Sequence, residues 1–221
     1  MSKRPFDKDD PAIEAIGADA MAVCAARLGR VAGTHALVLD GTPMTVPAVS
    51  GVGCWTILRP GRDTGGWRGS LHAAVDALPF GDESFCAVLV RFTQDTDIEP
   101  EVVAGELTRV LAPHGVLLIA DLHPRSLWHA GIPPGRWERA LRAAGLKVSR
   151  TVRCGAPWPR VRGAEGVPHW LVRGMGGAWV VEAQRRTLTA IPLRKAPARR
   201  VVERKPVLPG AHRKSLVRQR A

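Results

Sequence analysis

Leu78-Pro79-Phe80-Gly81-Asp82-Glu83-Ser84-Phe85 leads straight into an apolar run that continues to Phe92, and a second such run, Val116 to Asp121, lies a little further on. Runs this continuously apolar read as parallel strands buried on both faces. Between them comes Glu106-Leu107-Thr108-Arg109-Val110-Leu111-Ala112-Pro113-His114-Gly115. From Pro100 to Ala112, Val103, Leu107, Val110 and Leu111 fall on one face of a helix, with Glu101, Glu106 and Arg109 elsewhere. Pro113 and Gly115 close that helix. A strand, a crossover helix and a strand in this order predict a parallel α/β sheet.

Working outward, shorter apolar runs at His35–Asp40, Cys54–Leu58 and Leu71–Val75 predict three further parallel strands. Before them, Asp10 as N-cap and Pro11 at the first helical position open an amphipathic helix carrying Ile13, Ile16, Ala20, Met21, Cys24 and Leu28, which stops at Gly29. Towards the other end, Arg136 to Ala144 repeats the helical spacing with Trp137, Leu141 and Ala144, ending at Gly145. Leu146–Val152 and Ala178–Ala183 then form an antiparallel edge pair. Strands alternating with helices predict a doubly wound, mostly parallel sheet. The expected organisation is a flanking helix over residues 1–30, an α/β body over 31–193 and a disordered basic tail over 194–221.

The 221 residues, 45% of them hydrophobic, suffice for one domain with a sizeable core. Lys and Arg number 32 against 20 Asp and Glu, a net +12. The surplus is uneven, because residues 194–221 concentrate Lys and Arg around a single Glu and four prolines punctuate the chain from Pro192. Such a stretch has little to bury and is read as a disordered appendage on a body close to neutrality. The four cysteines form no CxxC pair and lie mostly in apolar runs, the pattern of reduced, buried thiols, so a cytoplasmic location is expected. Acids stand where a signal peptide would be apolar, and no segment approaches the roughly eighteen apolar residues of a membrane span.

The motifs around Leu78 and Glu106 resemble the second half of a type-11 class I methyltransferase domain, the S-adenosylmethionine-dependent kind, whose usual wording is LPF-x-D-x-SF-D-x-V, then E-x-x-RVL-x-PGG and a strand. The resemblance covers Asp40 to Leu193 and is strongest from Leu78 to Asp121. It implies the Rossmann-like class I fold, with Pro79 and Phe80 turning the chain at the cofactor-side edge and Ser84-Phe85 leading into the fourth strand. Such motifs identify a fold and carry no chemistry themselves. Downstream, His123-Pro124-Arg125-Ser126-Leu127-Trp128 is similar to an NP-x-S-x-W segment, and Trp179 to Arg186 to the family's closing strand.

The resemblance also implies where S-adenosylmethionine would sit, and there the sequence departs from the pattern. The family's first strand ends in GxGxG, which lets backbone N–H groups approach the cofactor. Here Leu37-Val38-Leu39-Asp40-Gly41-Thr42-Pro43-Met44 has one glycine and a proline. Gly51-Val52-Gly53 precedes a strand and so does not replace it. The acid that ends the second strand and takes the ribose hydroxyls is replaced by Arg59, in Leu58-Arg59-Pro60. The adenine-side aspartate position is Ala74, with Asp76 displaced by two, and the aspartate after SF is Cys86. Losing such contacts at about 1–3 kcal/mol each weakens binding by several orders of magnitude unless Asp40, Asp63 or Asp76 replaces them.

If the cofactor binds, the expected cofactor residues are Asp40, Gly41, Asp76 and Leu78, with Asp95 or His123 as a base near the acceptor and Arg91 as an anchor for an anionic substrate; Gln94 and Asp121 line the same strand ends. The plainer reading of those ends is a polar loop with an Asp N-cap. The histidines and cysteines show no ligand spacing, so no metal is expected. Gly174 to Gly177 opens a strand and reads as a hairpin turn. The seven tryptophans, with no tyrosine, read as core, Trp55 and Trp179 inside strands. The tail suits non-specific nucleic acid through phosphate neutralisation, although it has no aromatic residue for stacking. Two functions are therefore open: a methyltransferase with a divergent pocket and unknown acceptor, or a catalytically inactive descendant that serves as a binding or regulatory module.

Overall fold

The computed structural model describes residues 11–42, 49–61, 66–69, 71–74, 76–93, 99–124, 126, 131–155 and 176–185. Helix α1 spans Pro11–Leu28, followed by strands β1 (Gly33–Asp40), β2 (Val52–Pro60), β3 (Trp67–Gly69), β4 (His72–Ala73) and β5 (Phe85–Arg91). Then come α2 (Pro100–Val110), β6 (Leu111–Leu122), α3 (Pro134–Ala143), β7 (Leu146–Cys154) and β8 (Ala178–Arg185). The strands make one eight-stranded sheet in the order β4-β3-β2-β1-β5-β6-β8-β7. β2, β1, β5 and β6 run parallel, and β8 and β7 complete one side as the expected antiparallel pair.

Alternate residues of the central strands enter different apolar layers, which is what burial of both faces demands. Leu37, Leu39, Val88 and Val90 pack with Val103 and Leu107 of α2 and Trp137 and Leu141 of α3. Ala36, Val38, Ala87 and Leu89 pack on the opposite side with Ile13, Ile16, Ala20 and Cys24 of α1. The helical spacing read from the sequence places the buried stripe of α1 and, up to Val110, of α2; the expected helix to Ala112 stops earlier, because Leu111, Pro113 and Gly115 already belong to β6, and Ala144 lies half-buried just past α3. Trp67, Trp137 and Trp179 are fully buried, in keeping with a core role, whereas Trp55, also expected in the core, is half-buried. No helix among the described residues is long and apolar enough to cross a membrane.

The two motifs around Leu78 and Glu106 clasp each other. Glu106 accepts the Leu78 N–H at 2.9 Å, and Arg109 donates to the carbonyls of Leu78 and Phe80 at 2.9 and 2.8 Å and to Asp82 at 2.8 Å. Arg109 also grips Glu106 through two hydrogen bonds, which hold the Glu106 carboxyl below its ordinary range. His114, where the family wording has glycine, takes the left-handed conformation at φ 62°. The turn shape survives without the residue that favours it.

One expected element differs. Leu71–Val75 does not add to the parallel ladder: the chain folds back after β2, with Gly61 donating to the Gly66 carbonyl at 2.7 Å, and β3 is inserted between β2 and a short β4, antiparallel to both. Only residues 61–66 separate β2 from β3, whereas a parallel crossover needs about a dozen residues or more. Of the four cysteines, all free, Cys24 and Cys154 are buried as expected, Cys86 is half-buried, and Cys54 is exposed, contrary to expectation.

Candidate functional site

In an open α/β sheet, ligands bind outside the carboxyl ends of the strands where the strand order reverses. Here that point lies between β1 and β5, whose last residues, Asp40 and Arg91, are direct register partners. Arg91 donates from Nε to Asp40 Oδ1 at 2.8 Å and from Nη2 to Oδ2 at 2.6 Å, and both side chains are completely buried. Thr42 adds its N–H and its hydroxyl to Asp40 Oδ1 at 3.0 and 3.1 Å. On its other side Arg91 Nη1 reaches Met21 Sδ at 3.4 Å, so α1 roofs the pair. Two opposite charges in bidentate geometry stabilise one another in place of solvent.

The backbone beside this pair is equally closed. Gly41 donates to the Arg91 carbonyl at 2.9 Å, which prolongs the β1–β5 ladder past the strand ends. A Cβ on Gly41 would collide with the Phe92 carbonyl. Phe92, buried, holds φ 47°, an outlier for a bulky side chain. Gly41 is required here for close approach of backbone to backbone, where the resemblance expected approach of backbone to cofactor.

This changes the expected roles. Asp40 has both oxygens engaged within the protein, because a guanidinium 51 positions away along the chain neutralises it. Arg91, expected as an anchor for an anionic substrate, is itself completely buried with its guanidinium on Asp40. Leu78 is buried, with its N–H and carbonyl both taken by α2. Asp76 is exposed in the turn after β4, between the bridged residues Ala74 and Ala77. Asp95, Gln94 and Asp63 lie outside the described residues.

At the end of β6, Asp121 and His123 are both buried. Asp121 accepts the Leu122 N–H at 2.8 Å and the Ile132 N–H at 3.4 Å. The His123 backbone donates to Gly177 and accepts from Ser126, both at 2.8 Å. The Ser126 hydroxyl is buried without a hydrogen-bond partner among the described residues. Trp179 Nε1 donates to the Leu122 carbonyl at 3.1 Å, locking β8 to this end of β6. The structure thus brings Asp121, His123 and Ser126 to one strand end and Asp40, Gly41 and Arg91 to another. The sequence reading missed the Asp40–Arg91 pairing. Its signal was present: each residue is the first charge after an apolar strand, Leu37-Val38-Leu39-Asp40 and Val88-Leu89-Val90-Arg91.

No protein-family model and no curated protein matches this chain. Among solved structures, a SAM dependent methyltransferase from Aquifex aeolicus is similar over 82% of this chain and 100% of its own, with 19% identity and a TM-score of 0.52. An S-adenosylmethionine dependent methyltransferase from Mesorhizobium loti is similar over 77% of this chain and 100% of its own, with 13% identity and a TM-score of 0.48. The Aquifex likeness shows the fold: a Rossmann-like class I methyltransferase sheet with flanking helices.

Proposed function

We propose that this chain is a methyltransferase-fold protein that acts as a binding or regulatory module rather than by methyl transfer. The observation that carries this reading is the buried Asp40–Arg91 pair at the β1–β5 switch point. A carboxylate already held by a bidentate guanidinium and two Thr42 donors has little left to offer a ligand, and a ligand that pulled it away would strand a buried arginine. Arg59, standing at the end of β2, adds a cation where a ribose would need an acceptor. Calorimetry with S-adenosylmethionine and its demethylated product, beside an Asp40→Ala control, tests the reading. Silence at millimolar cofactor is expected; micromolar binding that weakens in the control would overturn it.

The second reading is an S-adenosylmethionine-dependent methyltransferase with a divergent pocket. It is favoured by the buried Asp121–His123–Ser126 group at the strand end where the resemblance places the acceptor, with Asp95 or His123 as base. In this reading Asp76 and Leu78 flank the cofactor. The basic residues of 194–221 belong to either reading as a source of sequence-independent affinity for nucleic acid. Neutralising them lowers the salt dependence of such binding in proportion to the charges removed.

A further inference from the structure

The hairpin that replaces the third parallel strand creates a feature of its own. Arg59 on β2 stands directly opposite Arg68 on β3, and Arg68 stands opposite His72 on β4. Directly opposed residues of antiparallel strands share a face of the sheet. The intervening Leu58, Trp67 and Ala73 point into the layer beneath α2 and α3. The row of Arg59, Arg68 and His72 therefore lies on the other face, in line with Trp55 and Ile57, which border the α1 layer. Arg59 and His72 are exposed, and Arg68, Trp55 and Ile57 are half-buried.

Among the described residues, none of these three side chains has a hydrogen-bond or ion-pair partner, and Arg68 Nε is buried without one. Elsewhere the described arginines are mostly matched to acids: Arg27 to Glu182, Arg91 to Asp40, Arg109 to Glu106, Arg136 to Glu101 and Arg185 to Glu83. Like charges directly opposite each other oppose strand pairing. Two arginines facing each other, with no acid paired to either among the described residues, are the arrangement an external anion would complete.

We propose that Arg59, Arg68 and His72, with Trp55 beside them, form a binding surface for single-stranded nucleic acid. Adjacent strands lie about 4.8 Å apart, so the row spans about 10 Å across the sheet, and Trp55 sits about 13 Å from Arg59 along β2. That is two arginines and a histidine in a row on a sheet face with an aromatic ring set back from it, not a cup converging on one small anion. It offers guanidinium groups to successive phosphates and a ring to a base, the two elements of sequence-tolerant single-strand binding. The proposal deepens the binding-module reading by naming its partner, yet the row stands whether or not the cofactor binds.

The test is fluorescence anisotropy of a labelled oligo-dT with the full-length chain, titrated across salt concentrations. Each phosphate that a side chain no longer neutralises lowers the slope of log K against log salt by about 0.7 for a single strand, so Arg59→Gln/Arg68→Gln lowers it by about 1.4. Arg59→Gln alone, an exposed side chain without partners whose loss leaves the fold intact, lowers it by about 0.7. Lys147→Gln/Arg153→Gln, which removes the same charge from exposed positions of β7, leaves the slope unchanged. Trp55→Leu weakens binding about tenfold at fixed salt. Equal losses in the β2–β3 and β7 variants would reduce the effect to net charge and overturn the proposal. So would equal affinity for duplex DNA, or displacement of the oligonucleotide by pyrophosphate at an equivalent phosphate concentration, which would indicate a small phosphorylated ligand instead. Calorimetry with S-adenosylmethionine reads the other question separately, so failure of either idea leaves the other standing.

Discussion

Replacing Arg91 with methionine removes the guanidinium that neutralises Asp40 and leaves a carboxylate, fully buried, held by the two Thr42 donors. Breaking one side of a buried ion pair costs about 3–5 kcal/mol, because the remaining charge keeps its desolvation penalty. Asp40→Asn/Arg91→Met is the informative companion: the amide oxygen can still accept from Thr42, and no charge remains. We expect the double variant to lie only about 1–2 kcal/mol below the parent chain, and so to be more stable than Arg91→Met alone. Urea unfolding at neutral pH, followed by tryptophan fluorescence and compared at constant m, measures each value. A loss under about 1 kcal/mol for Arg91→Met, or a double variant worse than Arg91→Met alone, would refute the claim that this pair seals the switch point. The same titrations repeated with excess S-adenosylmethionine add a second check, since a ligand at a hundred times its Kd raises stability by about 2.7 kcal/mol. No such rise is expected.

Arg59→Glu places an acid opposite Arg68, and we expect a gain of about 0.5–1 kcal/mol in unfolding free energy, measured by urea titration, together with loss of oligonucleotide binding. Arg109 holds the Glu106 carboxyl below its ordinary value of 4.5, so the clasp's contribution is complete above that value and disappears as pH falls through the lower folded value. Glu106→Gln flattens that acid limb and costs about 1–2 kcal/mol at neutral pH, read from unfolding midpoints at a series of acidic pH values. Burial pushes the thiols of Cys24 and Cys154 up to about 12, above an ordinary value of 9.0. The unfolded chain therefore releases those protons first, and stability falls as pH rises from about 9 towards 12, by up to about 1.4 kcal/mol per pH unit for each thiol. At pH 8 an alkylating reagent followed by mass spectrometry marks Cys54 first, with Cys24 and Cys154 modified only after denaturation.

What could be read in the sequence was what depends on neighbours along the chain. The spacing of Ile13, Ile16, Ala20 and Cys24 placed α1 on the sheet because a helical stripe is a local property. The two motifs at Leu78 and Glu106 announced the fold because each supplies the other's hydrogen bonds, and their wording is constrained by that mutual fit. The third strand was misread because an apolar stretch such as Leu71–Val75 does not say which strand it pairs with: β3 lies between it and β2 and is antiparallel to both, a hairpin that the shortness of residues 61–66 requires. Asp40 and Arg91 were each noticed and each given a partner outside the protein. Only the register between β1 and β5 reveals that they face one another.

β7 ends the sheet, and among the described residues it pairs only with β8. Its outward positions include Lys147, Arg150 and Arg153, all exposed. An unpaired strand edge invites another copy to dock by continuing the ladder, and a fringe of like charges discourages this by repulsion. Two such fringes brought together in register oppose addition of one sheet to the next. Because mobile ions screen that repulsion, the edge becomes more adhesive as ionic strength rises, while the cationic face on β2 and β3 loses its hold on phosphate. Salt thus weakens the guard on one edge of the sheet and the hold on polyanions at the other.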